Sequence, residues 1–271
     1  MSPLITPRMV SAFFAFLLVL SSPAFAESGS VIARIMDRGS LILGTSGNMP
    51  SMSEVDADGK LSGFDIDLAR IMASLMGVKL EIQVIPFADL LPKLEAGKVD
   101  LVISNLTITP RRNLRVAFVG PYLESGKCIV TRDNALANAQ ESTNLNVRET
   151  RLAVLGGSTS ADFARELFPE ATLIEVDDYA RAATLVRNDE ASGLLTDYPV
   201  CLAILKANPD AGFVSVFSLL TYEPIGIALP ADDALFINWT ENFLERMAGT
   251  SGFEELGKRW FDTVELTRRK K

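Results

Sequence analysis

Histidine is missing from all 271 residues, and with it the side chain that most often serves as a general base near neutral pH and as a metal ligand. Cysteine is nearly missing too. Cys128 and Cys201 stand far apart and make no zinc site, so no metal and no cofactor are expected. Each lies in an apolar run, Lys127-Cys128-Ile129-Val130 and Pro199-Val200-Cys201-Leu202, where a small buried hydrophobe is one reading. An oxidising compartment would let them pair, and the chain alone holds no distance that decides between the two. Positive charge is also in deficit, with 26 Lys and Arg against 34 Asp and Glu and a formal net of −8. That balance argues against a nucleic-acid partner. The basic ending Arg268-Arg269-Lys270-Lys271 reads as a solvated terminus.

Beyond residue 26 no apolar run is long enough to cross a bilayer. The one long run, Met9 to Leu20, follows Arg8 and precedes Ser21-Ser22-Pro23 and Ala24-Phe25-Ala26. A positive start, a short apolar stretch and an A-x-A ending predict a signal peptide over 1–26, with the mature chain starting at Glu27. No cysteine stands near that point to take a lipid. The reading is a soluble, exported protein, with length left for one large domain or two smaller ones.

What is present is alternation of strand and helix patterns. Leu41-Ile42-Leu43-Gly44 reads as a strand, followed by a polar loop over 45–53 and a turn over 56–60. Phe64, Leu68, Ile71, Met72 and Leu75 form one apolar helical stripe that Gly77 is placed to end. Leu80 to Ile85 alternates as a strand, Pro86 stops it, and Leu90, Leu91 and Leu94 mark a helix closed by Gly97. Leu101 to Ile103 is the next strand. After Gly120-Pro121-Tyr122 the pattern restarts. Strands are predicted at Cys128 to Thr131, Arg151 to Leu155, Thr172 to Val176 and Gly193 to Thr196. Helices are predicted from Gly156-Gly157-Ser158-Thr159-Ser160 through Leu167, at Tyr179 to Arg187 and at Tyr198 to Ala207. Phe213 to Phe217 and Pro224 to Pro230 add strands, and helical periodicity runs from Ala234 to the end. Its apolar positions Leu235, Phe243, Met247, Leu256, Trp260 and Phe261 need a surface, which a return to the first unit supplies. The expected fold is α/β and two-lobed, each lobe a mixed sheet flanked by helices. One lobe is 27–122 plus 224–271, the other 127–217, with hinge crossings near 122–127 and 217–224.

The strand Leu101 to Ile103 runs into Ser104-Asn105-Leu106-Thr107-Ile108-Thr109-Pro110-Arg111-Arg112, and open α/β sheets place ligands at such strand ends. Ser104, Asn105 and Thr107 offer hydroxyl, amide and backbone groups. Arg112 offers a fork of donors suited to a carboxylate, so the stretch fits a small zwitterion. It is equally a capped helix start, with Thr109 as N-cap, Pro110 at N1 and a solvated arginine.

Gly44-Thr45, Gly59-Lys60-Leu61-Ser62-Gly63-Phe64-Asp65-Ile66-Asp67-Leu68-Ala69, Gly97-Lys98-Val99-Asp100, Thr107 to Arg112, Gly120-Pro121-Tyr122, Thr196-Asp197-Tyr198 and Arg259-Trp260-Phe261 occur in this order. With them the chain resembles the periplasmic polar amino-acid-binding proteins of ABC transporters, two-lobed venus-flytrap receptors (bacterial solute-binding protein family 3). The resemblance implies roles. Asn105 would offer a carbonyl to the ligand ammonium, Thr107 a hydroxyl and N–H, and Arg112 a grip on the α-carboxylate. Thr159 would complete the carboxylate site from a helix N-terminus, which attracts anions. Asp197 would take the ammonium, or serve only as the N-cap of the helix from Tyr198. The family's aromatic after the first strand is replaced by Met49 and Met52, and basic-amino-acid binders carry an aspartate where this chain has Ser46. With Phe87 these form the expected side-chain pocket, which disfavours lysine, arginine and histidine and suits a neutral amino acid or related small carboxylate.

The partners so implied are an amino-acid ligand and the membrane permease of an ABC importer, with the receptor a monomer and not an enzyme. Two alternatives use the same clamp. Cyclohexadienyl dehydratases are similar to these receptors, yet Gly157 to Ala161 holds no acidic side chain to act as general acid before Asp162. A receptor reporting to a membrane sensor is the other.

Overall fold

A computed structural model describes residues 30–56, 58–137, 145–217 and 221–261. The expected signal peptide, the basic tail and the centre of the second crossing lie outside them. The chain begins with α1 (Val31–Arg38), β1 (Ser40–Thr45), β2 (Asn48–Met49), β3 (Ser53–Val55), β4 (Leu61–Ser62) and α2 (Phe64–Met76). It continues through β5 (Lys79–Val84), a 3-10 turn (Phe87–Asp89), α3 (Leu90–Glu95), β6 (Leu101–Val102), α4 (Pro110–Asn113) and the long β7 (Ala117–Ser125). A second run comprises β8 (Lys127–Thr131), α5 (Asn134–Ala137), β9 (Arg151–Leu155), α6 (Thr159–Leu167) and β10 (Thr172–Val176). Next come α7 (Tyr179–Arg187), β11 (Gly193–Asp197), α8 (Tyr198–Ala207) and β12 (Val214–Phe217). The chain closes with β13 (Glu223–Leu229), α9 (Ala234–Ala248) and α10 (Gly252–Phe261).

Two five-stranded sheets result, in the orders β5-β1-β6-β13-β7 and β10-β9-β11-β8-β12. In each, three mutually parallel strands are followed by one antiparallel strand and a fifth that is antiparallel to that one. The fourth strand of each sheet enters directly from the other: β7 leads through Gly126 into β8, and the segment after β12 leads into β13. The two lobes are therefore joined where these strands begin. The parallel strands carry buried apolar runs, Leu41 and Leu43 in β1 and Leu152 to Leu155 in β9, as strands covered on both faces require.

Helix α2 shows why the first lobe closes on the end of the chain. Its stripe buries Phe64, Leu68 and Met72, while Ile71 is only partly buried and Leu75, read as part of the stripe, is 60% exposed; Gly77 adopts a left-handed φ of 71° to end the helix, taking the Ala73 and Ser74 carbonyls. Phe64 stacks against Tyr122 of β7 at 5.9 Å and Phe261 of α10 at 5.3 Å. Asp67 accepts hydrogen bonds from Arg259 at 2.9 Å and the Trp260 indole at 3.0 Å. Burial alone would raise the Asp67 pKa, but the donors Trp260, Arg259 and Arg70 outweigh it and hold it low.

Several expectations change in detail. The stretch read as a polar loop over 45–53 and a turn over 56–60 belongs to a small antiparallel sheet β2-β3-β4 whose strands are two or three residues long, too short to show alternation. The helical periodicity read from Ala234 is carried by two helices, because Gly249-Thr250-Ser251 ends one and starts the next. The Thr250 hydroxyl donates to the Arg246 carbonyl at 3.0 Å, and Ser251 offers its carbonyl to Glu255 at 2.8 Å. Leu235, counted among the positions needing cover, is 57% exposed in the first turn of α9. The cysteines do pair: Cys128 of β8 and Cys201 of α8 form a disulfide with Cα atoms 6.3 Å apart.

Candidate functional site: a two-sided clamp at the strand ends

The loop after β6 is held from two sides. The returning strand β13 takes Ile108 N–H on the Pro224 carbonyl at 2.7 Å and gives Gly226 N–H to the Leu106 carbonyl at 2.9 Å. A Cβ on Gly226 would come within 2.7 Å of the Ile108 side chain and 3.1 Å of the Val119 carbonyl, so a larger residue would force Ile108 to move. On the other side Asn105 sits at φ 47°, a left-handed conformation that asparagine tolerates better than most residues. Its N–H donates to Asp65 at 2.8 Å, and the Tyr122 hydroxyl donates to the same carboxylate at 2.7 Å.

Asp65 is fully buried, and this burial raises its pKa from 3.8 to about 7 against the opposing hydrogen bonds from Tyr122 and Asn105. The folded state therefore binds the proton more tightly than the unfolded state. Its stabilising contribution is complete below about pH 4 and is lost as pH rises toward about 7, on the order of 4 kcal/mol in all. Thermal unfolding should give a higher melting temperature at pH 5 than at pH 8. Asp65→Asn should flatten that difference; an unchanged pH profile in the variant would remove Asp65 as its source.

Arg112 reaches back over this loop from α4, where Thr109 is the N-cap and accepts the Arg112 N–H at 3.2 Å. Its guanidinium donates to the Thr107 carbonyl at 2.9 Å and lies 5.9 Å above the Phe87 ring. It also points to the Gly157 carbonyl of the second lobe, at 3.4 Å. Burial lowers the Arg112 pKa, with Asp197, Asp162 and Glu223 opposing, and an arginine so placed stays cationic. Gly157 has φ 72°, and a Cβ there would stand 3.0 Å from the Ala88 side chain of the first lobe. Glycine is what lets the lobes meet at this point.

From the second lobe Ser158 caps α6 by accepting the Ala161 N–H at 3.2 Å, which leaves Thr159 in the first turn. The Thr159 hydroxyl lies 3.2 Å from that of Thr107 across the cleft. Asp197 occupies the N-cap position of α8 but makes no capping hydrogen bond. Its carboxylate receives Asn105 Nδ2 at 3.2 Å from the first lobe and Lys127 Nζ at 2.7 Å from β8. Lys127 also contacts Glu223 at 3.2 Å and Thr159 Oγ1 at 2.8 Å. The structure thus brings Asn105, Thr107, Arg112, Thr159, Asp197 and Phe87 into one connected cluster. Ser46 is tied beside it, its N–H donating to Ser104 Oγ at 3.0 Å. Met49 and Met52 are fully enclosed in the apolar core. A separate open groove of about 830 Å³ between Pro50, Val55, Tyr179 and Trp260 involves none of the clamp residues.

Lys127, Glu223 and Asp65 are absent from the sequence expectation. Lys127 carried a signal, a cation at the head of an otherwise apolar strand. Glu223 sat beside Pro224 with no periodicity to mark it. Asp65 was visible only as part of a motif.

Comparison with known proteins bears on what such a cleft is. The model of bacterial extracellular solute-binding proteins, family 3, matches residues 41–263. The chain belongs to that family. An ABC transporter arginine-binding protein 1 of Escherichia coli (strain K12) is 26% identical over 224 residues, covering 80% of this chain and 89% of its own length. The ABC transporter glutamine-binding protein GlnH of Bacillus subtilis (strain 168) is 26% identical over 207 residues, covering 75% of this chain and 74% of its own. Among solved structures, an ancestral amino acid-binding protein described as a precursor of cyclohexadienyl dehydratase superposes with a TM-score of 0.79 at 33% identity. It covers 86% of this chain and 100% of its own. The family 3 chain described here is thus a two-lobed extracellular solute-binding protein, similar to amino-acid-binding proteins of ABC transporters. Family 3 proteins work outside the cytoplasm.

Proposed function

We propose that this family 3 protein is a periplasmic receptor that captures a small neutral amino acid between its closing lobes and delivers it to the membrane permease of an ABC importer. In this reading the lobes are 27–122 plus 224–271 and 127–217, they rotate about 122–127 and 217–224, and the receptor works as a monomer after its leader 1–26 is removed. Arg112 and Thr159 take the α-carboxylate, Thr107 adds its hydroxyl, and the Asn105 carbonyl and Asp197 take the α-ammonium. Ser46 and Phe87 shape the space for the side chain.

The observation that carries the reading is the meeting of opposite charges supplied by opposite lobes, Arg112 and Asp197, linked by the contacts from Thr107 to Thr159 and from Asn105 to Asp197. A ligand that binds both lobes favours the closed form because only there are all its contacts made. Asn105 Oδ1 is buried without a protein partner among the described residues, an acceptor that a ligand N–H can satisfy. Ser46 supports a neutral side chain, since it adds no carboxylate to the pocket.

A thermal-shift screen against the common amino acids and their deaminated carboxylates tests the reading. A ligand at a thousandfold its dissociation constant stabilises by about 4 kcal/mol, or roughly 8–16 °C in melting temperature for a protein of this size. At least one neutral amino acid should do so. Absence of any such hit would sink the proposal. With the hit in hand, Asp197→Asn should weaken the α-amino ligand by about thirtyfold or more and its deaminated analogue much less. Equal losses would leave Asp197 a purely structural group.

A further inference from the structure

The ammonium that occupies Asp197 in this structure belongs to the protein. Lys127 and Asp197 are register partners at the start of β8 and the end of β11, so their side chains leave the sheet on the same face. Glu223 begins β13 at the other crossing and reaches the same ammonium. Lys127 Nζ therefore has two carboxylates, at 2.7 and 3.2 Å, and its side chain is only 2% exposed against 8% and 10% for theirs. Thr159 Oγ1 completes the shell, accepting from Lys127 at 2.8 Å and donating to Glu223 at 3.4 Å. Two carboxylates on one cation is more than an ion pair needs, and a buried charge is kept only where it is compensated.

The charges of the clamp decide which ligands can join it. Counted formally, Arg112 and Lys127 bring two positive charges and Asp197 and Glu223 two negative ones, and these four sum to zero. Asp162, which also acts on Arg112, lies at the exposed rim and is paired with Arg165 and Arg111. A zwitterion enters without changing the sum: its carboxylate meets Arg112, and its ammonium shares Asp197 while Lys127 stays on Glu223. A ligand with a cationic side chain would bring one charge too many into a closing cleft.

We propose that Lys127 is a specificity-determining residue: a tethered cation that fills a two-carboxylate subsite formed by Asp197 and Glu223, and so reserves the clamp for amino acids without a positive side chain. This deepens the neutral-amino-acid reading above and rests on it. Removing Lys127 uncovers an anionic subsite able to take the ammonium or guanidinium of a second group. Removing Glu223 instead leaves an excess cation, which suits an acidic amino acid.

The test is calorimetric titration of the mature protein and of Lys127→Gln, Glu223→Gln and the double variant with L-glutamine, L-leucine, L-arginine, L-lysine and L-glutamate, along with the best neutral hit of the screen. The wild type should bind a neutral amino acid and discriminate against arginine and lysine. Lys127→Gln should gain at least about tenfold for arginine or lysine, the low end for a newly compensated charge pair. The double variant, with one carboxylate fewer, should lose that gain. Glu223→Gln should shift about tenfold toward glutamate relative to the neutral ligand, and it decides the matter if Lys127→Gln fails to fold by circular dichroism. Unchanged ligand preferences in folded Lys127→Gln, or in Glu223→Gln in its stead, overturn the proposal and leave the receptor reading standing. So does a wild type that binds arginine or lysine as well as its best neutral ligand. A wild type that binds no amino acid overturns the receptor reading itself.

Discussion

Arg112→Ala should reduce amino-acid affinity at least a hundredfold while the melting temperature without ligand moves by no more than a few degrees. The asymmetry follows from where the guanidinium spends its hydrogen bonds. Its protein partners are two carbonyls, of Thr107 at 2.9 Å and Gly157 at 3.4 Å, and the face of Phe87. None of these is a counter-charge in direct contact, and Asp197, Asp162 and Glu223 act on the guanidinium only at longer range, so the folded protein gives up little when the side chain goes. A bound α-carboxylate, by contrast, would lose its one charge-assisted fork in a cleft closed to water, a loss of about 3 kcal/mol or more. Titration of the variant with the best ligand, beside its thermal unfolding, reads both halves of the prediction. Affinity within tenfold of the wild type would take Arg112 out of the site.

Replacing both Cys128 and Cys201 with serine should be the most damaging change outside the clamp. The disulfide closes a loop of 73 residues. Loop-closure entropy for that length corresponds to about 4 kcal/mol, and hence to a fall of roughly 8–16 °C in melting temperature. Both sulfurs lie in the core, where serine hydroxyls would find no ready partner. The consequence extends to the clamp, because the bond joins β8 to α8 and Lys127 and Asp197 are the residues at the ends of those two elements that face each other. Calorimetry on the oxidised wild type, the reduced wild type and the double serine variant would show it. A fall of under about 2 °C would mean that packing alone holds α8 against β8.

Most of the element pattern is legible in the chain because it is enforced by near neighbours. The α2 helix with its Gly77 stop, the start of α6 at Gly156 to Ser160 and the apolar run of β9 are all set by residues within a turn or a strand of one another. Where elements shrink to two or three residues, as in β2, β3 and β4, periodicity has nothing to act on and the segment reads as loop. Where a helix is interrupted by Gly249-Thr250-Ser251 rather than by proline, the break is hidden inside a continuous apolar pattern. Leu235 illustrates the one-sidedness of such patterns: an apolar residue in phase with a buried face can still stand in solvent.

The clamp divides along the same line. By itself the sequence determined half of it: a strand end, the polar loop Ser104 to Thr107, the Thr109-Pro110 cap and Arg112, together with the absence of histidine that excludes the commonest acid–base and metal chemistry. These depend on residues close together in the chain and on what side chains exist at all. The tertiary structure alone decided that Cys128 meets Cys201, that Asp197 turns from capping α8 to face Asn105 and Lys127, and that Glu223 returns on β13 to the same ammonium. Those contacts join residues 70 to 96 positions apart, where register in the sheets and the two crossings between lobes set the distances. Local propensity carries no information about such partners, because the energy that brings them together comes from burying the sheets around them.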